Sequence, residues 1–420
     1  MQVDVAIFGG GVAGLWLLDD LVRHGFHAIL IETGKLGQGQ TIASQGIIHG
    51  GFKYTLQGLW SKSAESIADL PDHWRRCLNG TEQPDLRQIR LRAEQCYLWR
   101  TDSWSARLGM FGARHGLKVA PRTITKDQRP DVLAGCPGQV ATIDEPVLSP
   151  GSLIEALSAP HRSRIFRVAP PDGCRFKLAQ PGHVESLDLI HPESGETLTV
   201  HPQGVVFTAG AGNSGLRAQV GLSHERMQRR PLHMVVLRGM LPPLNGHCIE
   251  GGHTRVTITS DRTADGETIW QLGGQLAEQG VALTPPELLQ HAADELTAVL
   301  PGIDLAGVSG TTYRVDRAEG STTDGKRPDG VHVLKEGNVF TAWPTKLVLA
   351  PRLAAEIRTQ LFSMMNHGEQ LNDERRRSIG DSQLPDWPRP EIAISPWEEN
   401  VEWEALTEHS SQSRARRSAA

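Results

Sequence analysis

The sequence has few cysteines and no long apolar run. Its five cysteines, at positions 77, 96, 136, 174 and 248, lie far apart and form no Cys-x-x-Cys pair. This spacing argues against a disulfide framework and against a zinc site, and we expect no bound metal. No apolar run approaches the ~20 residues that cross a bilayer. The chain enters a predicted strand at residue 3, so we expect no signal peptide and a cytoplasmic location.

The chain also lacks an excess of positive charge. Its formal net charge at pH 7 is −5, which argues against nucleic acid as a partner and against a general affinity for anionic membranes. Peripheral contact with a membrane stays open. Because 420 residues exceed one typical core, we expect two domains.

A dinucleotide-binding pattern occupies the first 32 residues. An apolar run at 3–8 leads into a Gly-x-Gly-x-x-Gly turn and a helical pattern, and a second apolar run ends in Glu32. Gly9 allows the tight turn, Gly11 lets a pyrophosphate approach the backbone, and Gly14 lets helix and strand pack closely. Phosphate binds at the helix N-terminus, and Glu32 can accept hydrogen bonds from a ribose diol. The predicted contacts here are Gly9, Gly11, Val12, Ala13, Gly14, Glu32 and Thr33.

A second stretch rich in glycine and small polar residues follows at 33–54. Its pattern Gln-Thr-x-x-Ser-x-Gly-Ile-Ile-His-x-Gly, at 40–51, resembles the second flavin motif of D-amino-acid-oxidase (DAO) flavoproteins. It is most similar to the L-2-hydroxyglutarate dehydrogenase/oxidase and glycerol-3-phosphate dehydrogenase branches, in which the segment similar to residues 47–51 lies beside the isoalloxazine. The resemblance implies FAD as the cofactor, held here by Gln40, Thr41, Ser44, Gly46, Ile48 and His49.

His49 has three interpretations. The resemblance implies a polar contact at the flavin or a catalytic base, and an imidazole suits the second role because its unperturbed pKa is near ~6.5. In some amine-oxidising relatives an equivalent-looking histidine carries a covalent 8α flavin link. The third interpretation is a packed, hydrogen-bonded histidine.

Later segments extend the resemblance. The strand at 164–168 implies an adenine-side contact at the Val168 backbone, and a strand ending in Thr-Ala-Gly-Ala-Gly implies contacts at Ala209 and Gly210. A strand, turn and helix at 338–361 would place a helix N-terminus at the flavin pyrimidine carbonyl. This chain has Ala-Trp-Pro at 342–344 where the glycerol-phosphate branch has paired glycines. The predicted contacts in this segment are Trp343, Thr345, Lys346 and Leu347.

Arg314 is the predicted substrate anchor, because its position matches one where relatives hold a carboxylate or phosphate. A guanidinium forms a fork for either anion. Tyr313 and Arg317 are weaker candidates, and Lys346 can stabilise negative charge on the reduced flavin. The histidines at 233, 247 and 253 lack metal-ligand spacing, and we interpret them as structural.

The predicted fold is α/β. A Rossmann-like FAD-binding domain of the glutathione-reductase type would be built from 1–78, 147–227 and 309–362. An interleaved α+β substrate domain on an antiparallel sheet would take 79–146 and 228–308. Residues 363–420 form a C-terminal extension, with 384–397 extended against the body and the end disordered. Helices are predicted at 59–78 and 104–115.

The predicted function is oxidation of a CH–OH group in a small anionic substrate, of the 2-hydroxy-acid or polyol-phosphate type, with hydride transfer to flavin N5. His49, Arg314 and Lys346 are the predicted catalytic residues, and oxygen or a quinone would reoxidise the flavin. One alternative is an amine or amino-acid oxidase of the same fold. Others are a structural FAD in an assembly protein and a bare NAD(P)-binding protein.

Overall fold

The structure, a computed structural model, describes residues 1–50, 69–101, 121–170, 172–250, 253–263, 265–323, 325, 328, 330–366, 384–399 and 401–406. The predicted helix at 104–115 lies outside these residues, as does the first half of the one at 59–78. Within the described residues, the strands form two large sheets and one small pair.

The first large sheet has a parallel centre. Its order is β17-β18-β11-β1-β2-β8, and β11 also pairs with the antiparallel meander β9–β10. Apolar runs with little polar alternation are typical of parallel strands covered on both faces, and the second half of β1 and nearly all of β2 are buried. The strands are β1 (Gln2–Phe8), β2 (Ala28–Glu32), β8 (Ile165–Arg167), β9 (Cys174–Gln180), β10 (His183–Ile190), β11 (Thr197–Phe207), β17 (His332–Glu336) and β18 (Val339–Trp343).

Helices cover one face of this sheet, and the meander covers the other. On the helical side, Phe26, which follows the first helix, packs edge-on against Phe362 of the last one. On the meander side, Phe176 packs against Phe8 and Phe207. None of the described helices has the length and apolar character to cross a membrane. The helices are α1 (Val12–Arg23), α2 (Leu70–Leu78), α3 (Asp131–Ala134), α4 (Pro150–Ser158), α5 (Asn213–Gln219), α6 (Gln275–Gln279), α7 (Pro285–Val299) and α8 (Ala350–Asn366).

The second large sheet is mostly antiparallel and runs β19-β16-β12-β15-β14-β13-β4-β6-β5. Helix α7 packs against it through a buried leucine face, and its start is fixed by a capping box between Thr284 and Glu287. The strands are β4 (Cys96–Trp99), β5 (Arg122–Thr123), β6 (Val140–Ile143), β12 (Met227–Gly239), β13 (Gly246–Glu250), β14 (His253–Arg262), β15 (Thr268–Gly273), β16 (Ser309–Gly320) and β19 (Glu404–Ala405). The small pair joins β3 (Leu91–Ala93) and β7 (Val147–Leu148). The Rossmann-like and antiparallel layers of the predicted α/β fold are therefore both present.

Strand β16 bears on the predicted domain boundaries. It pairs along its whole length with β12, from Met227↔Gly320 to Arg238↔Ser309. Residues 309–320 are predicted in the cofactor domain because they precede its closing strand. Their antiparallel pairing with β12 makes them part of the second sheet, and we propose a boundary near residue 321.

The described part of the C-terminal extension, residues 384–399 and 401–406, forms a strap across both sheets. It covers β8, the last strand in the parallel order, where Pro388 accepts a hydrogen bond from Arg167 N at 2.9 Å. Trp387 donates from its indole N–H to the carbonyl of Arg167 at 2.7 Å. Further on, β19 pairs with β16 in the other sheet. The strap thus shields an edge strand and links the two layers.

Trp387→Ala should destabilise the protein by about 3 kcal/mol, since it removes a buried aromatic side chain and its hydrogen bond. For a chain of this length, the thermal midpoint should fall by roughly 3 °C. The readout is thermal unfolding followed by circular dichroism. Trp403→Ala is the control, because Trp403 is half-exposed and stacks on Arg238. An equal fall of the thermal midpoint in both variants would mean that Trp387 does not hold the strap on β8.

Candidate active site

A cavity of about 550 Å³ lies at the carboxyl ends of β1, β2, β11 and β18. Ligands of open α/β sheets bind at this edge, where helix N-termini and glycine-rich turns meet. Many of the predicted cofactor contacts line the cavity: Gly9, Gly11, Val12, Ala13, Glu32, Thr33, Gln40, Thr41, Ser44, Ala209, Gly210, Trp343, Lys346 and Leu347.

The glycine turn shapes one wall. Gly9 has φ +105°, and a Cβ there would lie 2.5 Å from Ala209 Cα. A Cβ on Gly14 would overlap the carbonyl oxygen of Gly9 and approach Thr208 Oγ1 to 2.7 Å. Helix α1 can therefore start beside the turn only because these two positions lack side chains. Its first N–H groups have no partners within the helix and suit an anion in the cavity.

The Glu32 carboxylate is fixed at the same cavity. Its Oε2 accepts from Gly10 N at 2.6 Å, and its Oε1 accepts from the amides of Thr33 and Gly34, each at 2.8 Å. These amides hold an acidic side chain at the end of β2, at the place expected for a ribose-binding acid.

Four other predicted contacts line neither this cavity nor the second one described below. Val168 donates its N–H to the carbonyl of Glu32 at 3.0 Å, and Ile48 donates to the carbonyl of Pro146 at 2.9 Å. Val168 and Ile48 are fully buried and stabilise the backbone next to the first cavity. The four are Gly14, Ile48, Val168 and Thr345.

A second cavity, of about 380 Å³, continues from the first toward the antiparallel sheet. Residues shared by both linings show that the two spaces are adjacent: Gln40, Ser44, Val315, Lys346 and Leu347. Gly46 and His49 line the second cavity. Lys346 is mostly buried at their junction, just ahead of the short 3₁₀ turn Leu347–Leu349 that precedes α8.

The loop between the cavities is tied to the antiparallel sheet. Gln271 donates from Nε2 to the carbonyl of Ala43 at 2.9 Å, and the Tyr313 hydroxyl donates to the same carbonyl at 2.9 Å. Gln45 donates from its Nε2 to the backbone carbonyl of Gln271 at 2.9 Å. Burial raises the pKa of Tyr313, so its phenol stays protonated and keeps donating.

His49 lines the second cavity, and its Nδ1 is held by a carboxylate. Its Nδ1 lies 3.1 Å from Glu145 Oε2, and the other carboxylate oxygen accepts from Gly50 N at 2.6 Å. His247 Nε2 lies 3.7 Å from Glu145 Oε2, which is longer than an ordinary hydrogen bond. Burial alone would raise the pKa of Glu145, but the two imidazoles outweigh it and lower that pKa, so the carboxyl is ionised.

The structure places Arg317, and not Arg314, in the second cavity. Arg314 is exposed on the opposite face of β16 and borders the first cavity, and its guanidinium donates to the carbonyls of Val281 and Leu283 at 3.1 and 3.3 Å. Side chains alternate between the two faces of a strand, so Arg317 lies on the same face of β16 as Val315, two residues before it. Its Nη2 lies 3.1 Å from Glu278 Oε1, and both side chains line the cavity.

The family model described as FAD dependent oxidoreductase, DAO, matches residues 4–350. The chain belongs to the DAO family. It is 36% identical over 403 residues to the probable FAD-dependent oxidoreductase PA4991 of Pseudomonas aeruginosa, covering 95% of this chain and 98% of that one. The match to the family model, over residues 4–350, includes both glycine-rich stretches and the closing strand β18.

Solved structures of DAO-family type share this fold. The crystal structure of PA4991 superposes with a TM-score of 0.77 at 34% identity, covering 95% of this chain and 98% of that one. Glycine oxidase from Geobacillus kaustophilus gives a TM-score of 0.56 at 19% identity and coverages of 90% and 100%. L-α-glycerophosphate oxidase from Mycoplasma pneumoniae, solved with FAD bound, gives 0.59 at 12% identity and coverages of 86% and 95%.

This chain is therefore an FAD-dependent oxidoreductase, and FAD is its cofactor. The first cavity suits that group, because it offers an acid at one end, helix N–H groups in the middle and Lys346 at the other end. Gly210 also faces open space, with no atom within 4 Å of a Cβ built there. We propose that the residues lining this cavity hold FAD along its length.

Sequence reasoning missed Glu145 and interpreted His247 as structural. Glu145 is the second residue after β6, in the segment Asp-Glu-Pro, and His247 lies on β13. The sequence signal for Glu145 was weak: it lies in a short acidic segment, next to a proline, between two apolar runs. Such a signal gives no indication of the histidines that surround the carboxylate.

Proposed function

We propose that this chain oxidises a CH–OH group in a small anionic substrate. The observation that supports this is the imidazole of His49 at the second cavity, with Nδ1 on the ionised, buried Glu145. A hydroxyl keeps its proton near neutral pH, so loss of a hydride from its carbon requires a base to take that proton. A neutral amine has a lone pair that accepts the developing positive charge, and it needs no such base.

In this proposal, Nε2 of His49 takes the hydroxyl proton, and Glu145 stabilises the imidazolium that forms. Arg317 and Lys346 supply positive charge for the anionic end of the substrate. Burial lowers the pKa of Arg317, but a guanidinium starts so high that it stays charged. Bound FAD supplies the hydride acceptor.

The test is anaerobic bleaching of the purified protein by a panel of hydroxyl and amine substrates. The panel comprises L-2-hydroxyglutarate, L-lactate, glycerol 3-phosphate, glycine and L-proline. Bleaching by a hydroxy acid or polyol phosphate supports the proposal, and bleaching by amino acids alone would overturn it. Acid precipitation of the same protein reports whether the flavin is covalently linked to a residue such as His49.

Arg317→Met should raise the KM for the bleaching substrate about 100-fold, because a charge-assisted contact contributes about 1.5–3 kcal/mol. The rate at saturation should change much less. Arg314→Met is the matched control, and we expect its KM to stay within about threefold, since its guanidinium is already bound to backbone carbonyls. Stopped-flow reduction over a range of substrate concentrations gives both constants. The reverse ranking of the two variants would restore Arg314 as the anchor.

One observation favours a second candidate, oxidation of an amino acid or secondary amine. Glu278 and Arg317 place opposite charges side by side in the second cavity. Such a pair suits a zwitterion, with the carboxylate on Arg317 and the ammonium on Glu278. Glu278→Gln should then abolish bleaching by amines and leave bleaching by hydroxy acids in place.

A further inference from the structure

Glu145 is a buried carboxylate that meets three hydrogen-bearing groups from two distant parts of the chain. It lies between β6 and β7, and its side chain is 3% exposed. Oε1 accepts from Gly50 N at 2.6 Å, while Oε2 lies 3.1 Å from His49 Nδ1 and 3.7 Å from His247 Nε2. A buried carboxylate requires hydrogen bonds to its oxygens, and the contacts with Gly50 N and His49 Nδ1 supply them.

The hydrogen positions follow from this geometry. An ionised carboxylate only accepts, so His49 has to donate from Nδ1, which leaves its lone pair on Nε2. On the far side, His247 Nδ1 lies 2.9 Å from the Thr257 hydroxyl, which can donate to it. His247 then carries its hydrogen on Nε2, facing Glu145. With the Thr257 hydroxyl as donor, the two neutral rings, whose centroids are 5.7 Å apart, hold opposite tautomers around one carboxylate.

We propose that Glu145 is a positioning residue that fixes His49 in the Nδ1–H tautomer, with His247 in the Nε2–H tautomer on the same carboxylate. The proposal rests on the proposed function, in which His49 acts as the base. Only this tautomer of the neutral ring presents a lone pair from Nε2. No residue in this role is implied by the flavin motifs, because Glu145 and His247 lie outside them.

Glu145→Gln tests this with little change of shape. A glutamine has one carbonyl oxygen, and Gly50 N requires it. The amide NH₂ then faces His49 Nδ1, which has to accept, so the ring proton moves to Nε2. The substitution is expected to invert the tautomer of His49 without removing the ring.

Nitrogen NMR of the FAD-bound protein, labelled at the histidine rings and measured without substrate, reads the tautomers directly. His49→Asn and His247→Asn assign the two rings by loss of signal. We expect Nδ1–H on His49 and Nε2–H on His247 in the wild type, and Nε2–H on His49 in Glu145→Gln. The matched control is Glu278→Gln, which changes another carboxylate of the second cavity and should leave both tautomers as they are.

Three results would overturn the proposal. Nε2–H on His49 in the wild type would do so even if Glu145→Gln failed to fold. Retention of Nδ1–H in Glu145→Gln would also do so. The ligand atoms of the three side chains lie within 4.8 Å of one another, a spacing that can hold a divalent cation. Ring shifts that change on treatment with EDTA would therefore replace the tautomer assignment with a metal site. None of these readouts depends on a substrate, so they stand apart from any failure of the hydroxyl-oxidation proposal.

Discussion

His49→Asn should slow substrate-dependent reduction of the bound flavin about 1,000-fold, within the range lost when a general base is removed. Asparagine keeps a polar group of similar reach but cannot take a proton near neutral pH. FAD should remain bound, since the first cavity is lined by other residues. Anaerobic stopped-flow reduction at saturating substrate measures the rate, and the flavin absorbance per chain measures occupancy.

The matched control is His253→Asn, which changes another histidine of the second cavity. Its rate should stay within about tenfold of the wild type. The pH profile adds a second readout. The wild-type rate should rise with pH as the imidazole loses its proton. This rising limb of the pH profile should be absent in His49→Asn. A loss of less than tenfold in His49→Asn, with the limb intact, would mean that His49 is not the base.

Gly14→Ala should weaken FAD binding about 100-fold, a cost of about 2.7 kcal/mol, and the protein should purify largely colourless. The added methyl would overlap the carbonyl oxygen of Gly9, and Thr208 Oγ1 would lie 2.7 Å away. Helix α1 can relieve this contact only by moving away from β1 and β11. That movement takes the helix N–H groups away from the position of the pyrophosphate. Flavin titration into the apoprotein gives the dissociation constant.

Gly215→Ala is the control for this change. Gly215 lies in α5, and a Cβ there meets no atom within 4 Å. Alanine is the better helix former, so this variant should bind FAD as the wild type does and be slightly more stable. Far-ultraviolet circular dichroism shows whether Gly14→Ala is folded. A folded Gly14→Ala protein that binds FAD normally would contradict the close-packing role of this glycine.

Local patterns account for what the sequence predicted well. The first strand, turn, helix and second strand are adjacent along the chain, so their spacing alone indicates how Gly9, Gly14 and Glu32 meet. The same holds for the antiparallel strands of β12, β14 and β15, whose runs of valine, isoleucine and threonine are typical of strands.

The second cavity is formed by contacts that sequence spacing does not encode. Arg314 and Arg317 lie on opposite faces of β16, and only the packing of that strand shows which face meets the cavity. If the register of a strand is assigned one residue out, every side chain is placed on the wrong face of the sheet. Glu145, His49 and His247 come from three separate parts of the chain. The pairing of β13 with β4 and of β4 with β6 brings His247 near Glu145, and the bridge between Ile47 and Val147 brings His49 to them.

The order of the parallel sheet constrains when the protein can fold during synthesis. Its centre joins β1, made from residues 2–8, to β11 at 197–207, and β11 pairs in turn with β18 at 339–343. The glycine turn leaves the ribosome early, but the wall opposite it is encoded by the last third of the chain. Pairings so distant in sequence form slowly, and the exposed early strands require protection until then. We infer that FAD is captured only after β18 and the strap have emerged from the ribosome.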